Sequence, residues 1–223
     1  MGAVTSTGSR RRVRKAPEAR RAEIVAAAAE VALAEGLERI TLRRIGDRLG
    51  VRSGLIGHYF PAVEDLVAEA FGAAAGAELD RLLPVAGPDG GPAPVVRLAR
   101  FSALAAGDAY DGMSRLWLNA RHLSRYRPVL RERVLHQQER WRDRLTELIR
   151  EGNRTGDFRA ADPLAAAKRI LVVLDGLGGY ANLGDGEDPD EVTGMAAETA
   201  ERELRLEPGT LTAGAAGRSG PAG

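Results

Sequence analysis

Between Ile40 and Phe60 the chain reads Ile-Thr-Leu-Arg-Arg-Ile-Gly-Asp-Arg-Leu-Gly-Val-Arg-Ser-Gly-Leu-Ile-Gly-His-Tyr-Phe. Its polar residues are of the types that hold phosphates and read base edges: guanidinium groups, hydroxyls and small residues that admit a close approach. Leu42, Ile45 and Leu49 form an apolar stripe on one short helix, for which Thr41 is a natural N-cap. Gly50 permits the left-handed backbone of a tight turn, and Val51 fills the angle before a second short helix that packs back through Ile56. The opposite face of that helix, with Arg52, Ser53, Gly54, Leu55, Gly57 and Tyr59 on or beside it, is then free to enter a major groove. Arg43 and Arg44 fall where backbone phosphates would be held. An ordinary helical hairpin has the same outline and is the commoner case on pattern alone.

The elements that must carry this segment are helical throughout. Apolar residues return at three- and four-residue spacing and nowhere alternate with polar ones, so an all-α fold is expected. A first helix opens at Pro17, carries Ile24, Ala27, Ala28, Val31 and Ala34 on one stripe and stops at Gly36. After the two short helices, Pro61 marks the opening of a longer one to about Leu83, and the Gly- and Pro-rich stretch 84–92 reads as a loop. Helices follow near 93–107, 112–125 and 128–152. Asp162-Pro163 and Asp188-Pro189-Asp190-Glu191 are cap-like openings of two more, the last ending near Leu206. The expected organisation is a disordered basic arm over 1–16, a helix-turn-helix DNA-binding domain over 17–61, a helical effector-binding and dimerisation domain over 62–206, and a disordered tail over 207–223.

Charge supports a polarised molecule. The net charge of +1 hides 12 basic against 8 acidic residues up to Leu66 and 20 against 23 beyond it. A positive N-terminal third suits an end that faces nucleic acid, although Arg10, Arg11, Arg12, Arg14 and Lys15 supply much of the excess.

Context sharpens the motif. A helix of about five turns, then "ITLRRIGDRLGVRSGLIGHYF", then a long helix beginning "EDLVAEAF" resembles the DNA-binding domain of the TetR family over about residues 18–72. The "T-x-x-x-I-x-x-x-x-G-V" core and the "HYF" ending carry the resemblance, and "GLIGHYF" is similar to the choline-responsive BetI type. The resemblance implies that Thr41 touches a phosphate and that Arg43 contacts backbone or base. It places Ser53, Gly54, Leu55 and Gly57 toward the groove and His58 and Tyr59 at the helix end, with the Tyr59 hydroxyl a phosphate donor. Gly57 stands where many relatives carry Tyr, and Val63 where a phosphate-binding Lys is usual. The Arg-rich arm is a candidate to compensate, through backbone or minor-groove contacts.

From Phe101 to Leu206 the Trp117 and Trp141 positions, the "GDF" turn and the "LDGL" stretch resemble the C-terminal domain of BetI-type members, in which the last two helices pair with their copies. Leu171, Leu174, Gly178 and Ala181 form a small and apolar face fit for such a homodimer, or equally for an internal core. Phe101, Met113, Trp117, Asn119, Trp141 and Asp175 are candidates for an effector pocket, combining aromatic walls with a few polar groups. Core packing is the commoner role for the tryptophans. An Asp175 beside them would fit a quaternary ammonium ligand.

Other chemistry is disfavoured. With no cysteine there is neither a disulfide nor a thiol nucleophile. Of the three histidines, His58 belongs to the helix-turn-helix, and His122 and His136 sit among charge-rich helix faces. No phosphate loop, G-x-S-x-G or H-E-x-x-H is present, so no catalytic or metal site and no cofactor is expected. The first nine residues lack the apolar core of a signal peptide and no run is long enough for a membrane span, so a cytoplasmic protein is expected. The reading that results is a transcriptional repressor on a palindromic double-stranded DNA operator, released by an unknown small molecule. Two others stay open: a regulator controlled by a partner protein, and a helical small-molecule binder that has lost DNA binding.

Overall fold

A computed structural model describes residues 16–85, 87, 91–106, 111–182 and 194–212. These form nine α-helices and no extended strand: α1 (Pro17–Glu35), α2 (Leu42–Leu49), α3 (Ser53–Tyr59), α4 (Val63–Leu82), α5 (Pro94–Ala105), α6 (Asp111–Ser124), α7 (Pro128–Thr155), α8 (Pro163–Ala181) and α9 (Met195–Leu204), with a 3-10 turn at Leu37–Arg39.

Local chemistry sets most of the boundaries. Pro17 occupies the first turn of α1, where its missing N–H costs nothing, and Gly36 ends the helix at φ +96°. The Thr41 hydroxyl accepts from the Arg44 N–H at 3.0 Å, capping α2. Gly50, at φ +64°, closes it, and the Val51 N–H donates to the Gly46 carbonyl at 2.9 Å. Asp162 caps α8 by accepting from the Leu164 and Ala165 N–H groups. Helix α4 begins at Val63 rather than Pro61, because Ala62 is extended (φ −105°, ψ 125°) and only its carbonyl joins the helix. Helix α7 runs a turn farther than Gly152, to Thr155.

Helix α4 is the spine. One side packs on α1 and the other on α7. Leu66, Val67, Ala70 and Phe71 of α4 therefore lie in one continuous buried cluster with Ile24, Ala28 and Val31 of α1 and with Trp117, Val134 and Trp141 beyond. Helices α7 and α8 are joined by a short turn in which Asn153 brackets Ala160, donating to its carbonyl and accepting from its N–H. Helix α9 packs along α8.

The expected disordered tail needs correcting over residues 208–212. The Gly209 and Leu211 N–H groups donate to the two oxygens of the buried Glu201 carboxylate, at 3.0 and 2.7 Å, and Leu211 is 1% exposed. One apolar side chain and a carboxylate acceptor dock a stretch whose composition alone reads as structureless. The expected arm over 1–15, the cap at 188–191 and residues 213–223 lie outside the described residues. Among the described residues no helix is long and apolar enough to cross a membrane, and no His, Asp or Glu cluster converges as metal ligands do.

Candidate nucleic-acid interface and ligand cavity

Helices α2 and α3 meet at the buried Ile45, Gly46 and Ile56, so that α3 is presented outward. Arg52, Ser53, Gly54 and His58 are exposed, and Leu55, Gly57 and Tyr59 are half-buried. A side chain at Gly54 would meet open space. The Cβ direction at Gly57 points to Leu42 Cδ1 at 3.5 Å, which puts this residue on the flank of α3 toward α2. The His58 ring stands edge-on to Tyr59, centroids 5.3 Å apart.

The arginines of α2 divide into two sets. Arg44 pairs with Glu35 and Arg48 with Glu30, tying α2 to α1, and the hydrogen bond from Arg44 holds the Glu35 carboxyl below the usual carboxylate range. Arg43 is 90% exposed and only loosely associated with Asp47 at 3.9 Å. Thr41 is exposed beside it. Of the two arginines placed at phosphate positions by sequence, Arg43 is the one whose charge stays available. At the far end of α3 the Arg21 guanidinium lies over the Phe60 ring at 4.6 Å and pairs with Glu69 of α4.

A cavity of about 380 Å³ lies between α6, α7 and α8. Three of the six sequence candidates line it: Trp117, Trp141 and Asp175. Phe101 and Met113 belong to the core, Phe101 lying behind the Trp141 ring with centroids 6.5 Å apart. The wall also holds Arg121, Glu139, Arg142 and Lys168, which the sequence reading missed. The i, i+4 spacing of Trp117 and Arg121 was the available signal. Arg121 donates to Asp175 at 2.6 Å, and its guanidinium lies 5.1 Å from the Trp117 ring centroid.

Asn119 is elsewhere, and its place in a pocket is corrected. Its Oδ1 accepts from the Leu37 N–H at 2.9 Å, and its Nδ2 donates to the Glu38 carboxylate at 2.8 and 2.9 Å. It thus fastens α6 to the 3-10 turn that leads into α2, two residues along the helix from the cavity wall at Trp117. Asn119→Ala leaves the N–H of the fully buried Leu37 without its acceptor. A loss of about 1–3 kcal/mol is expected in urea unfolding followed by circular dichroism. A loss under about 0.5 kcal/mol, the scatter of ordinary surface substitutions, would show that the bridge carries no weight.

The proposed dimer stripe on α8 is corrected in the same way. Leu174 is buried, and the missing side chain of Gly178 lets Ser114 of α6 approach, since a Cβ there would sit 3.0 Å from the Ser114 Cβ. Asn182 reinforces this internal contact by donating to the Ser114 hydroxyl at 2.7 Å. Leu171 is half-buried and lines the cavity, and the Ala181 side chain lies outside the described residues. The outward apolar face of α8 instead carries Val172, 68% exposed, and Tyr180, with Gly176 between them, and Met195 of α9 is exposed as well.

A helix-turn-helix that presents one exposed helix, held by a spine helix to an α-helical body with its own cavity, defines a one-component DNA-binding regulator. Comparison with known proteins agrees. Residues 24–70 match the family described as bacterial regulatory proteins of the tetR family, and residues 98–205 match the BetI-type transcriptional repressor C-terminal domain. The chain belongs to the TetR family of transcriptional regulators, with a C-terminal half of BetI type. No curated protein matches it significantly. Among solved structures it is similar to a protein from Rhodococcus sp. described as of the TetR family (19% identity, 84% of this chain and 99% of that one, TM-score 0.69). It is similar to a TetR regulator from Haloarcula marismortui (22%, 84% and 99%, TM-score 0.68). It is also similar to a regulator from Saccharomonospora viridis solved in complex with choline (22%, 84% and 98%, TM-score 0.66). At such identities the likeness speaks for the fold.

Proposed function

We propose that the protein is a repressor that binds a palindromic operator as a homodimer and is released when a small molecule enters the cavity between α6, α7 and α8. The observation that carries the reading is the position of α6. It contributes Trp117 and Arg121 to the cavity and, through Asn119, grips the turn that precedes α2. A ligand that displaces α6 therefore acts on the DNA-binding helices through one hydrogen-bonded contact, and it shifts the population of DNA-competent dimers by as much as it prefers one arrangement. The choline complex of the Saccharomonospora relative supports small-molecule control of this architecture.

The contact residues follow from exposure and charge. Arg52, Ser53, Gly54 and His58 meet base edges from α3, with Leu55 and Gly57 on its flanks. Thr41, Arg43 and the Tyr59 hydroxyl hold phosphates. The outward α8 face at Val172, Gly176 and Tyr180 with Met195 is the dimer surface, and two-fold pairing matches a palindrome. The division into a DNA-binding part, an effector part and a basic arm at 1–16 belongs to the same proposal, as do a cytoplasmic site of action and the absence of catalysis.

The test is a gel shift with the DNA upstream of the protein's own gene, repeated over a range of salt concentrations. Specific retardation by two protomers per site is expected. Arg43→Ala is expected to reduce the slope of log affinity against log salt by about one, because one phosphate contact is removed. Failure to retard that DNA or any fragment of the surrounding region would leave a helical small-molecule binder.

A further inference from the structure

The sequence suggested a cation for the cavity, with Asp175 beside tryptophan faces. The side chains oppose this. Arg121 already pairs with Asp175 at 2.6 Å and already covers the Trp117 ring. The protein's own guanidinium occupies the place a quaternary ammonium would need.

The wall also holds donors that have no acceptor. Two of its buried polar atoms, Arg121 Nε and Trp141 Nε1, have no hydrogen-bond partner. Both are obligate donors, and an indole N–H or a guanidinium N–H cannot satisfy itself by tautomerising. A buried donor left unmatched is costly, so native structures keep few of them. Here both belong to residues that line one cavity. The charged lining is three basic residues, Arg121, Arg142 and Lys168, against two acidic ones, Glu139 and Asp175. Asp175 is neutralised by Arg121, and Lys168 has no ion-pair partner among the described residues. Glu139 is the one acidic group in the wall left unpaired, and it is exposed at the rim. Apart from Gln138 the remaining wall is apolar: Leu135, Leu171, Val172, Leu174 and the two tryptophan rings. A volume of about 380 Å³ suits a small organic molecule.

We propose that the effector is an organic monocarboxylate with an apolar body, its carboxylate accepting from Arg121 Nε and Trp141 Nε1 and its body lying along Leu135, Leu171 and Leu174. This rests on the reading of the cavity as the effector site and names the ligand class for it. Arg121 is the specificity-determining residue: it presents the unmatched donor and fills the cation position itself. Lys168 adds an unpaired positive charge at the exposed rim, whereas Arg142 is paired with Asp143 at 2.9 Å.

The chain has two tryptophans and both line this cavity, so their emission reports on its occupancy. The probes are 4-phenylbutanoate, octanoate, the neutral 4-phenylbutanamide and choline, each titrated while tryptophan emission and retention of operator DNA are followed. At least one of the two carboxylates is expected to change the emission saturably. 4-Phenylbutanoate is expected to bind about tenfold or more tightly than its amide, the ratio lost with a charge-assisted hydrogen bond. Arg121→Met is expected to abolish that preference. Lys168→Met, at an exposed site that carries no fold risk, is expected to weaken carboxylate binding less, and in a salt-sensitive way. The proposal is overturned if the amide binds as tightly as the acid, if choline binds more tightly than either carboxylate, or if neither carboxylate alters the emission. The reading beneath it fails separately. Carboxylate binding that leaves DNA bound would remove the regulatory role and keep the ligand class, whereas release by choline and by neither carboxylate would do the reverse.

Discussion

Gly46→Ala is expected to lower operator affinity by about a thousandfold, the lower edge of the span between specific and non-specific DNA binding. Gly46 is buried where α2 turns into α3. A Cβ there would lie 2.9 Å from the Val51 carbonyl oxygen and 3.2 Å from the Ser53 nitrogen. Both obstacles are backbone, so no rotamer change relieves them. The same residue's carbonyl accepts from the Val51 N–H, which closes the turn. To admit one methyl group the turn must open and α3 must tilt away from α2, and base-edge contacts tolerate little displacement. The cost to the fold is that of ordinary overpacking, about 1–3 kcal/mol. A gel shift beside a thermal melt separates the two effects. Near-normal operator binding by this variant would mean that the α2–α3 angle does not govern recognition.

Phe71→Ala is expected to cost about 3–5 kcal/mol of stability, the range for emptying a fully buried aromatic site. Phe71 is the point on the spine helix α4 where the two parts of the molecule meet. Its ring is fully buried and stands perpendicular to Trp117, centroids 5.0 Å apart. The same Trp117 ring carries Arg121 and lines the cavity. Loss of the ring therefore removes packing beneath a residue that is also in contact with the ligand site. Chemical denaturation should give the stability loss, and the emission of Trp117 should shift in the native state. A loss below about 2 kcal/mol, the low edge for smaller aliphatic truncations, would show that the surrounding side chains collapse into the gap.

The sequence made the local features readable and left the distant ones hidden. Thr41, Gly36, Gly50 and Asp162-Pro163 mark helix ends because a cap is a bargain among residues three or four apart, and the structure has all of them in place. The helix-turn-helix was readable for the same reason: its stripe, turn and returning Ile56 lie within one short segment. Asn119 was readable only as a polar residue on an apolar face. Its partners are Leu37 and Glu38, some eighty residues away, and no local pattern names them. The α8 stripe failed through a similar ambiguity. Periodicity finds the face that is apolar, but α8 has apolar residues toward α6 at Leu174 and Gly178 and toward solvent at Val172 and Tyr180. The cavity was half legible. Aromatic type drew attention to Trp117 and Trp141, while the charge that decides its chemistry comes from Arg121, whose i, i+4 spacing from Trp117 is all that separates it from the chain's many other arginines.

The docking of Leu211 and Gly209 on Glu201 sets an order of events during synthesis. Ribosomes add roughly 5–20 residues each second, and N-terminal elements emerge and fold first. The helices around the recognition segment and the spine can therefore settle while α9 is still being made. The Glu201 carboxylate has its two backbone donors only after residues 209–211 have left the exit tunnel. Until then the Glu201 carboxylate lacks the partners that let it be buried, and the end of α9 is unfinished. The DNA-reading end of the molecule is thus ready before the α8–α9 surface that we propose for pairing.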